Sequence, residues 1–391
     1  MNGQDTRREG KRPPIMFISP PKYVQGPGVI DELHKYVAEL GTRVTVICDK
    51  VVWGLFGDRI TWSCKEGGLD LNSFIFSGQA SIGQVELAKA SAEKAKSDVI
   101  IGVGGGKACD VAKSVGARLR CKWVTLATIA STDAPTSSLS VLYKDDGEFH
   151  SYELHGKNPD LVMVDTEAVA KAPARFLASG MADAVATRFE SAACAAADSL
   201  TILGARSSNA GLALGALCWD NCRKHGLSAL KAVERGVVTP AVELIVETNT
   251  FHSGVGFESG GFSGAHSVHN GLTLLPETKK SMHGEIVNFG VLVQLILEKK
   301  PDVELDEFIE FSLPLGLPVT LEQIGLSNLE GKKLHTVAQA VVANGESIHW
   351  MPFPVTAEMV AGAIIGADAY PREYLSGRES RLSGPSRPYA K

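Results

Sequence analysis

The chain has 391 residues, 44% hydrophobic, 21% charged and 7% aromatic, which excludes wholesale disorder and, at roughly 150 residues per domain, allows two or three domains with a sizeable core. Lysine and arginine number 39 against 44 aspartate and glutamate, a formal net charge of −5, so composition gives a nucleic-acid partner no support. Every apolar run is broken well short of the roughly 18 residues a membrane-spanning helix requires, and Met1 to Arg12 are polar and basic, unlike a secretory signal.

In the first half, short β-branched or apolar runs at Arg43 to Asp49, Asn72 to Phe76, Asp98 to Val103, Trp123 to Leu126 and Leu161 to Val164 read as buried parallel strands. Amphipathic stretches such as Gln84 to Lys96 and Lys107 to Leu119 supply the crossover helices that parallel neighbours need. One interruption, Leu139 to Tyr143 and Glu148 to Tyr152 about Lys144-Asp145-Asp146-Gly147, reads as a hairpin, because Asp-Gly accepts the positive φ of a tight turn. From Arg175 onward the pattern is helical: Ala178 to Ala197, Leu200 to His225, Pro240 to Phe257, Gly284 to Lys299 and Thr356 to Ala369. The expected organisation is an α/β nucleotide-binding domain at 13–171, an all-α domain at 172–375 and a disordered tail at 376–391. Seven cysteines, odd in number and without a CxxC pair, read as reduced and place the chain in the cytoplasm. Cys218 and Cys222, four apart, read as packing residues rather than metal ligands.

Gly102-Val103-Gly104-Gly105-Gly106-Lys107-Ala108-Cys109-Asp110 follows an apolar strand and opens a helix. Glycines let a backbone approach a phosphate closely, and a helix start presents N–H groups and a positive dipole end. The segment is either a dinucleotide pyrophosphate site or a tight turn without a ligand; it is neither GxGxxG nor a Walker A loop. Asp49, ending an earlier strand, could accept from an adenosine ribose and repel a 2′-phosphate, favouring NAD over NADP, or could simply cap the next helix.

Four of the ten histidines, His252, His266, His269 and His283, lie close in sequence between glycine-rich turns. His266 and His269, three apart on a presumed helix, can approach one centre, and His283 starts the next helix. The obvious carboxylate to join them is Asp183, a lone acid in the apolar stretch Gly180-Met181-Ala182-Asp183-Ala184, where burial requires a cation, a cap or strong donors. An acid favoured by the helix dipole is the alternative.

Taken together, GVGGGKACD (Gly102 to Asp110), TIASTDAPTSSLSVLY (Thr128 to Tyr143), SGMADAVATRFESAAC (Ser179 to Cys194), GFESGGFSGAHSVHNGLT (Gly256 to Thr273) and HGE (His283 to Glu285) resemble the glycerol dehydrogenase family of the metal-dependent alcohol dehydrogenases. The resemblance runs from Val24 to Leu375 and implies a dehydroquinate synthase-like fold, a Rossmann-like parallel-sheet domain followed by an all-α metal domain. Residue by residue, it implies metal ligands at Asp183, His266 and His283, with His269 a neighbour, either donor to a ligand or core residue. The family's dinucleotide contacts fall on Asp49, Gly104, Gly105, Gly106, Lys107, Asp110, Thr128, Ser131, Ser137, Leu139 and Tyr143, and Asp133 matches the acid that approaches the polyol. Iron-type relatives place a fourth ligand, a histidine, four residues after the aspartate; Thr187 stands there, which points to the three-ligand glycerol dehydrogenase branch. Ala127, Ala182 and Ile286 depart from the residues common in the family without removing a ligand.

The resemblance implies reversible oxidation of glycerol to dihydroxyacetone with hydride passing to NAD, assisted by zinc or by iron, in a homo-oligomer, an octamer by family analogy. Asp133, Asp183, His266 and His283 are the implied catalytic set, with Asp133 and His266 beside the polyol substrate. The rival readings are a 2-hydroxycarboxylate, other polyol or phosphopolyol dehydrogenase on the same fold, and a non-catalytic NAD-binding protein. A phosphate-bearing substrate should show extra basic residues in the helical half, where Arg188, Lys279 and Lys280 are the few candidates.

Overall fold

The structure, a computed structural model, describes residues 12–145 and 149–382. Packing divides the chain into two compact units, one ending at Phe262 and the other starting at Ser263. The change from alternating to helical pattern at Lys171 to Pro173 falls inside the first unit.

The first unit opens with β1 (Tyr23–Gly26), α1 (Leu33–Val37), β2 (Arg43–Asp49), α2 (Lys50–Glu66), β3 (Asp70–Phe76), α3 (Ile82–Lys94), β4 (Val99–Gly104), α4 (Gly106–Leu119) and β5 (Lys122–Ala127). A hairpin, β6 (Leu139–Tyr143) and β7 (Phe149–Leu154), precedes β8 (Leu161–Asp165) and α5 (Thr166–Lys171). Six strands form one sheet in the order β1-β8-β5-β4-β2-β3, every pair parallel. Helices cover both faces, so the inner strands read as unbroken apolar runs rather than as alternation. Val44, Val46 and Cys48 of β2 and Val99, Ile101 and Val103 of β4 pack with α1 and α2 on one face. Ile47 and Ile100 face the other way onto α3 and α4. β1 escapes the sequence pattern because it is a four-residue edge strand, YVQG, with no apolar run. The hairpin pairs antiparallel as its sequence predicts; Asp146 and Gly147 of its expected turn lie outside the described residues.

The same unit continues with α6 (Ala174–Ala196), α7 (Asn209–Val233), α8 (Pro240–Glu247) and α9 (Ser253–Gly260). The stretch expected to be helical from Leu200 starts only at Asn209: Gly204 is left-handed at φ 69°, and the Ser208 hydroxyl caps α7 by accepting from Gly211 N at 2.9 Å. The stretch expected to run unbroken from Pro240 is interrupted by a π-helical turn, Thr248–His252. All seven cysteines are free, and Cys218 and Cys222 are buried in α7. Burial raises the Cys48 and Cys109 thiols to about 12, so these two are protonated packing groups.

The second unit holds α10 (Gly264–Leu272), α11 (His283–Leu297), α12 (Asp302–Ser312), α13 (Gly331–Val341) and α14 (Ala357–Leu382). Helix α11 is apolar nearly all round and correspondingly buried, with α10, α12 and α14 around it. A Cβ at Gly290 would lie 2.4 Å from Ala265 O, so α10 and α11 touch backbone to backbone there. α14 passes through Pro371 and continues to Leu382, beyond the expected end of order at Leu375. Glu379, Arg381 and Leu382 are good helix formers, and they extend it. The remainder of the expected tail, 383–391, and most of the Met1 to Arg12 segment lie outside the described residues. Among the described residues no helix is long and apolar enough to cross a membrane.

Candidate active site

The glycine loop sits where β4 ends and α4 begins. A Cβ at Gly102 would meet Ala108 O at 2.6 Å, so β4 and α4 pack too closely for any side chain. Gly104 takes φ 138°, a conformation that favours glycine, and its carbonyl receives Thr128 N at 3.1 Å. Gly105 is the N-cap of α4 and offers no side chain to the helix start. The turn therefore leaves backbone amides at the positive end of a helix, with exposed Lys107 beside them. Asp49 is the N-cap of α2, its Oδ1 accepting from Val51 N at 2.8 Å and Val52 N at 2.9 Å.

A buried ionic centre holds the next loop against α4. Lys113, fully buried, reaches Asp110 Oδ1 at 2.9 Å, Ala134 O at 2.9 Å and Ser137 Oγ at 3.3 Å, and also donates to Leu139 O. Asp110 is itself buried and accepts from Val141 N at 3.2 Å. Burial pushes its carboxyl up while Lys113 holds it down. A second buried acid, Glu258 of α9, takes Ser138 N at 2.6 Å, Ser138 Oγ at 2.5 Å and Asn158 Nδ2 at 2.5 Å. Thus Ser137 and Leu139 are clamped from two sides, and Tyr143 closes β6 with its amide on Ala80 O at 3.0 Å.

Asp183 lies in the buried middle of α6. Its Oδ2 accepts from Asp133 N at 3.2 Å, which ties the 128–138 loop to the helix. Asp133 Oδ2 in turn accepts from Ser253 Oγ at 2.7 Å, and that hydroxyl lies 3.1 Å from Thr187 Oγ1, one turn beyond Asp183. Gly180 makes the approach possible: a Cβ there would lie 2.0 Å from Ala130 O. Asn249 Nδ2 bridges the same carbonyl and Leu177 O at 2.9 and 3.1 Å. Asn249 comes from the π-helical turn, an irregularity that recurs at functional sites. Ser131, half-buried in this loop, accepts through its carbonyl from Ser179 Oγ at 3.3 Å.

In the second unit, buried Gln294 caps α10: its Oε1 accepts from Ala265 N at 2.9 Å and Ser263 Oγ at 3.2 Å. The helix start is thereby fixed one residue before His266. The rings of His266 and His283 lie 5.4 Å apart, and those of His269 and His283 4.3 Å apart. His283 Nδ1 is 3.0 Å from His269 Nε2. His252, the fourth histidine of the sequence cluster, belongs to the first unit and pairs with Glu247 at 3.5 Å.

Residues 20–166 match the family of iron-containing alcohol dehydrogenases. The chain is 46% identical to a glycolaldehyde reductase of Halobacterium salinarum over 90% of this chain and 97% of that protein. It is 43% identical to a glycerol dehydrogenase of Escherichia coli, over 91% of this chain and 97% of the other. The chain belongs to the iron-containing alcohol dehydrogenase family. The crystal structure of the Schizosaccharomyces pombe glycerol dehydrogenase superposes with a TM-score of 0.90 at 36% identity, covering 93% of each chain. As a member of this family the protein is an alcohol dehydrogenase, and membership implies a nicotinamide dinucleotide and a metal ion. The donor types suit a metal: a buried carboxylate in one unit and, in the other, two imidazoles side by side.

Lys113, Glu258, Asn249 and Ser253 escape sequence reasoning. Each is an ordinary polar residue until the fold buries it, although Lys113 follows Asp110 at i+3 in α4, a pairing that could have been noticed.

Proposed function

We propose that this alcohol dehydrogenase is an NAD- and zinc-dependent polyol dehydrogenase that interconverts glycerol and dihydroxyacetone. The reading is carried by the likeness, along almost the whole chain, to glycerol dehydrogenases from bacteria and a yeast. Asp183, His266 and His283 would hold the metal, a ligand set supported by the buried carboxylate of α6 and by the paired imidazoles of α10 and α11. Thr187 occupies the place of a fourth histidine ligand and turns its hydroxyl to Ser253, which favours a three-ligand site over the iron type. When bound, the metal supplies the Lewis acidity that eases loss of the hydroxyl proton, and the dinucleotide supplies the hydride acceptor.

The chain's own residues would do the rest. The amides of Gly104, Gly105, Gly106 and Lys107 would cradle the pyrophosphate at the start of α4. The second oxygen of Asp49 would take the ribose hydroxyl while the first caps α2. Thr128, Ser131, Ser137, Leu139 and Tyr143 line the loop and strand that follow, and Lys113 and Glu258 fix that backbone before the dinucleotide arrives. Asp110 acts through Lys113. Asp133, held by Ser253, would orient the polyol and hold its proton. A cytoplasmic homo-oligomer completes the reading.

The Halobacterium relative favours a second substrate, glycolaldehyde. It shares with glycerol an oxygen on each of two adjacent carbons, so the residues that would hold the metal and Asp133 would meet the same polar pattern in either substrate. Initial rates of NAD reduction with glycerol, ethylene glycol, lactate and glycerol 3-phosphate separate the possibilities. The highest kcat/KM for glycerol is expected; a faster ethylene glycol reaction selects the second reading, and a faster lactate or phosphate ester reaction overturns both.

A further inference from the structure

A neutral imidazole can ligate a metal through only one nitrogen, and the hydrogen bond at the other decides which one. In the second unit that bond is the last of a series. Asn270 Nδ2 donates to Glu346 Oε2 at 3.0 Å, an acceptor as a carboxylate, so the amide group of Asn270 faces the glutamate. The carbonyl of Asn270 is thereby turned to His269 Nδ1, 3.1 Å away, and that nitrogen must donate. A neutral His269 with its proton on Nδ1 has its lone pair on Nε2, and Nε2 lies 3.0 Å from His283 Nδ1. His283 therefore donates from Nδ1 and carries its lone pair on Nε2.

The far end of the series is anchored. Glu346 precedes a 3-10 turn, Ser347–Trp350, and that turn is tied to α10 by Ser347 Oγ on Ser263 O at 2.6 Å and Ile348 N on Ser267 Oγ at 2.8 Å. Asn270 and Glu346 are half-buried, so neither is free to swing in water.

We propose that His269, Asn270 and Glu346 are positioning residues: a hydrogen-bonded series that fixes the tautomer and aim of His283 and so sets how tightly the site holds its metal. This rests on His283 being a ligand, as read above. It also gives His269 a use that does not require it to touch the metal.

The test uses the full chain, stripped by chelator and titrated with zinc against a chromophoric competitor. His269→Ala and Asn270→Leu are expected to weaken zinc binding by about 10–100-fold, and the visible spectrum of the cobalt-loaded protein should change with them. His269→Gln, which can place an amide oxygen where Nε2 stood, should recover most of the affinity, a rescue that a purely space-filling role for His269 would not give. Wild-type zinc affinity in both His269→Ala and Asn270→Leu would overturn the proposal. Should His269→Ala fail to fold by circular dichroism, Asn270→Leu and His269→Gln decide the matter by the same affinities. A wild-type chain that takes up no metal would remove the functional reading as well, whereas wild-type uptake with indifferent variants removes only this proposal.

Discussion

Around the glycine loop, the first unit builds with backbone amides and with charges that are fully buried; the second unit builds with half-exposed imidazoles that face one another. Lys113 spends its ammonium on two carbonyls, a hydroxyl and Asp110, all within the fold. His266, His269 and His283 are instead only half-buried. The difference separates two ways of failing. A backbone-built loop fails when its supports are removed, and the loss appears as stability and dinucleotide affinity. A side-chain cluster proposed to hold a metal should fail when one member is removed, with the loss expected in metal content and turnover and the fold intact.

The sharpest way to break this distinction is at the proposed metal ligands. Asp183→Ala and His283→Ala should lower kcat by about 10³-fold or more, the equivalent of several kcal/mol of lost Lewis-acid stabilisation. His283→Ala should melt within a few degrees of wild type; a large loss of stability there would contradict the contrast. Next, Lys113→Met leaves Asp110 buried beside an apolar side chain and should destabilise the protein by about 3–5 kcal/mol in urea unfolding. The double variant with Asp110→Asn should regain part of that loss.

Acid should act on the first unit through His155. Its ring lies 2.8 Å from Ser140 Oγ, which donates onward to Asp110 O at 3.0 Å. Burial, reinforced by the charge of Lys113, lowers the His155 pKa to about 4. The unfolded chain takes the proton first as pH falls, so this contribution is complete above about 6.5 and is lost between there and about 4, by up to about 3 kcal/mol. His155→Gln keeps a donor to Ser140 and should flatten stability over that interval, as read by denaturant midpoints at several pH values. The smallest effects concern the glycines. Gly102→Ala meets backbone and should cost about 1–3 kcal/mol. Gly105→Ala meets only the movable end of Ile129, at 2.7 Å; it should cost less stability and show itself in NADH affinity.

The inner strands were legible because burial on both faces leaves unbroken runs such as Val99 to Val103, whereas β1 was not, because an edge strand of four residues has no such run. Helix beginnings misled where capping competes with apolar pattern: Leu200 and Ile202 look helical, yet Ser208 sets the start of α7. Of the candidate site, the glycine loop and the grouping of His266, His269 and His283 could be read directly, since glycine runs and clustered imidazoles are rare, whereas His252, equally close in sequence, belongs to the first unit. Of the two readings of Asp49, the helix cap is visible, its Oδ1 accepting from Val51 N and Val52 N. The supports could not be read. Nothing in the sequence around Glu258 or Asn249 says that their partners are Ser138 and Ala130, more than a hundred residues away.

The most direct measurement is NADH formation from glycerol by the purified full chain at alkaline pH, before chelation, after it, and with zinc added back. Activity that disappears with the metal and returns with zinc is the predicted result. A folded, zinc-replete sample that leaves glycerol untouched would contradict it.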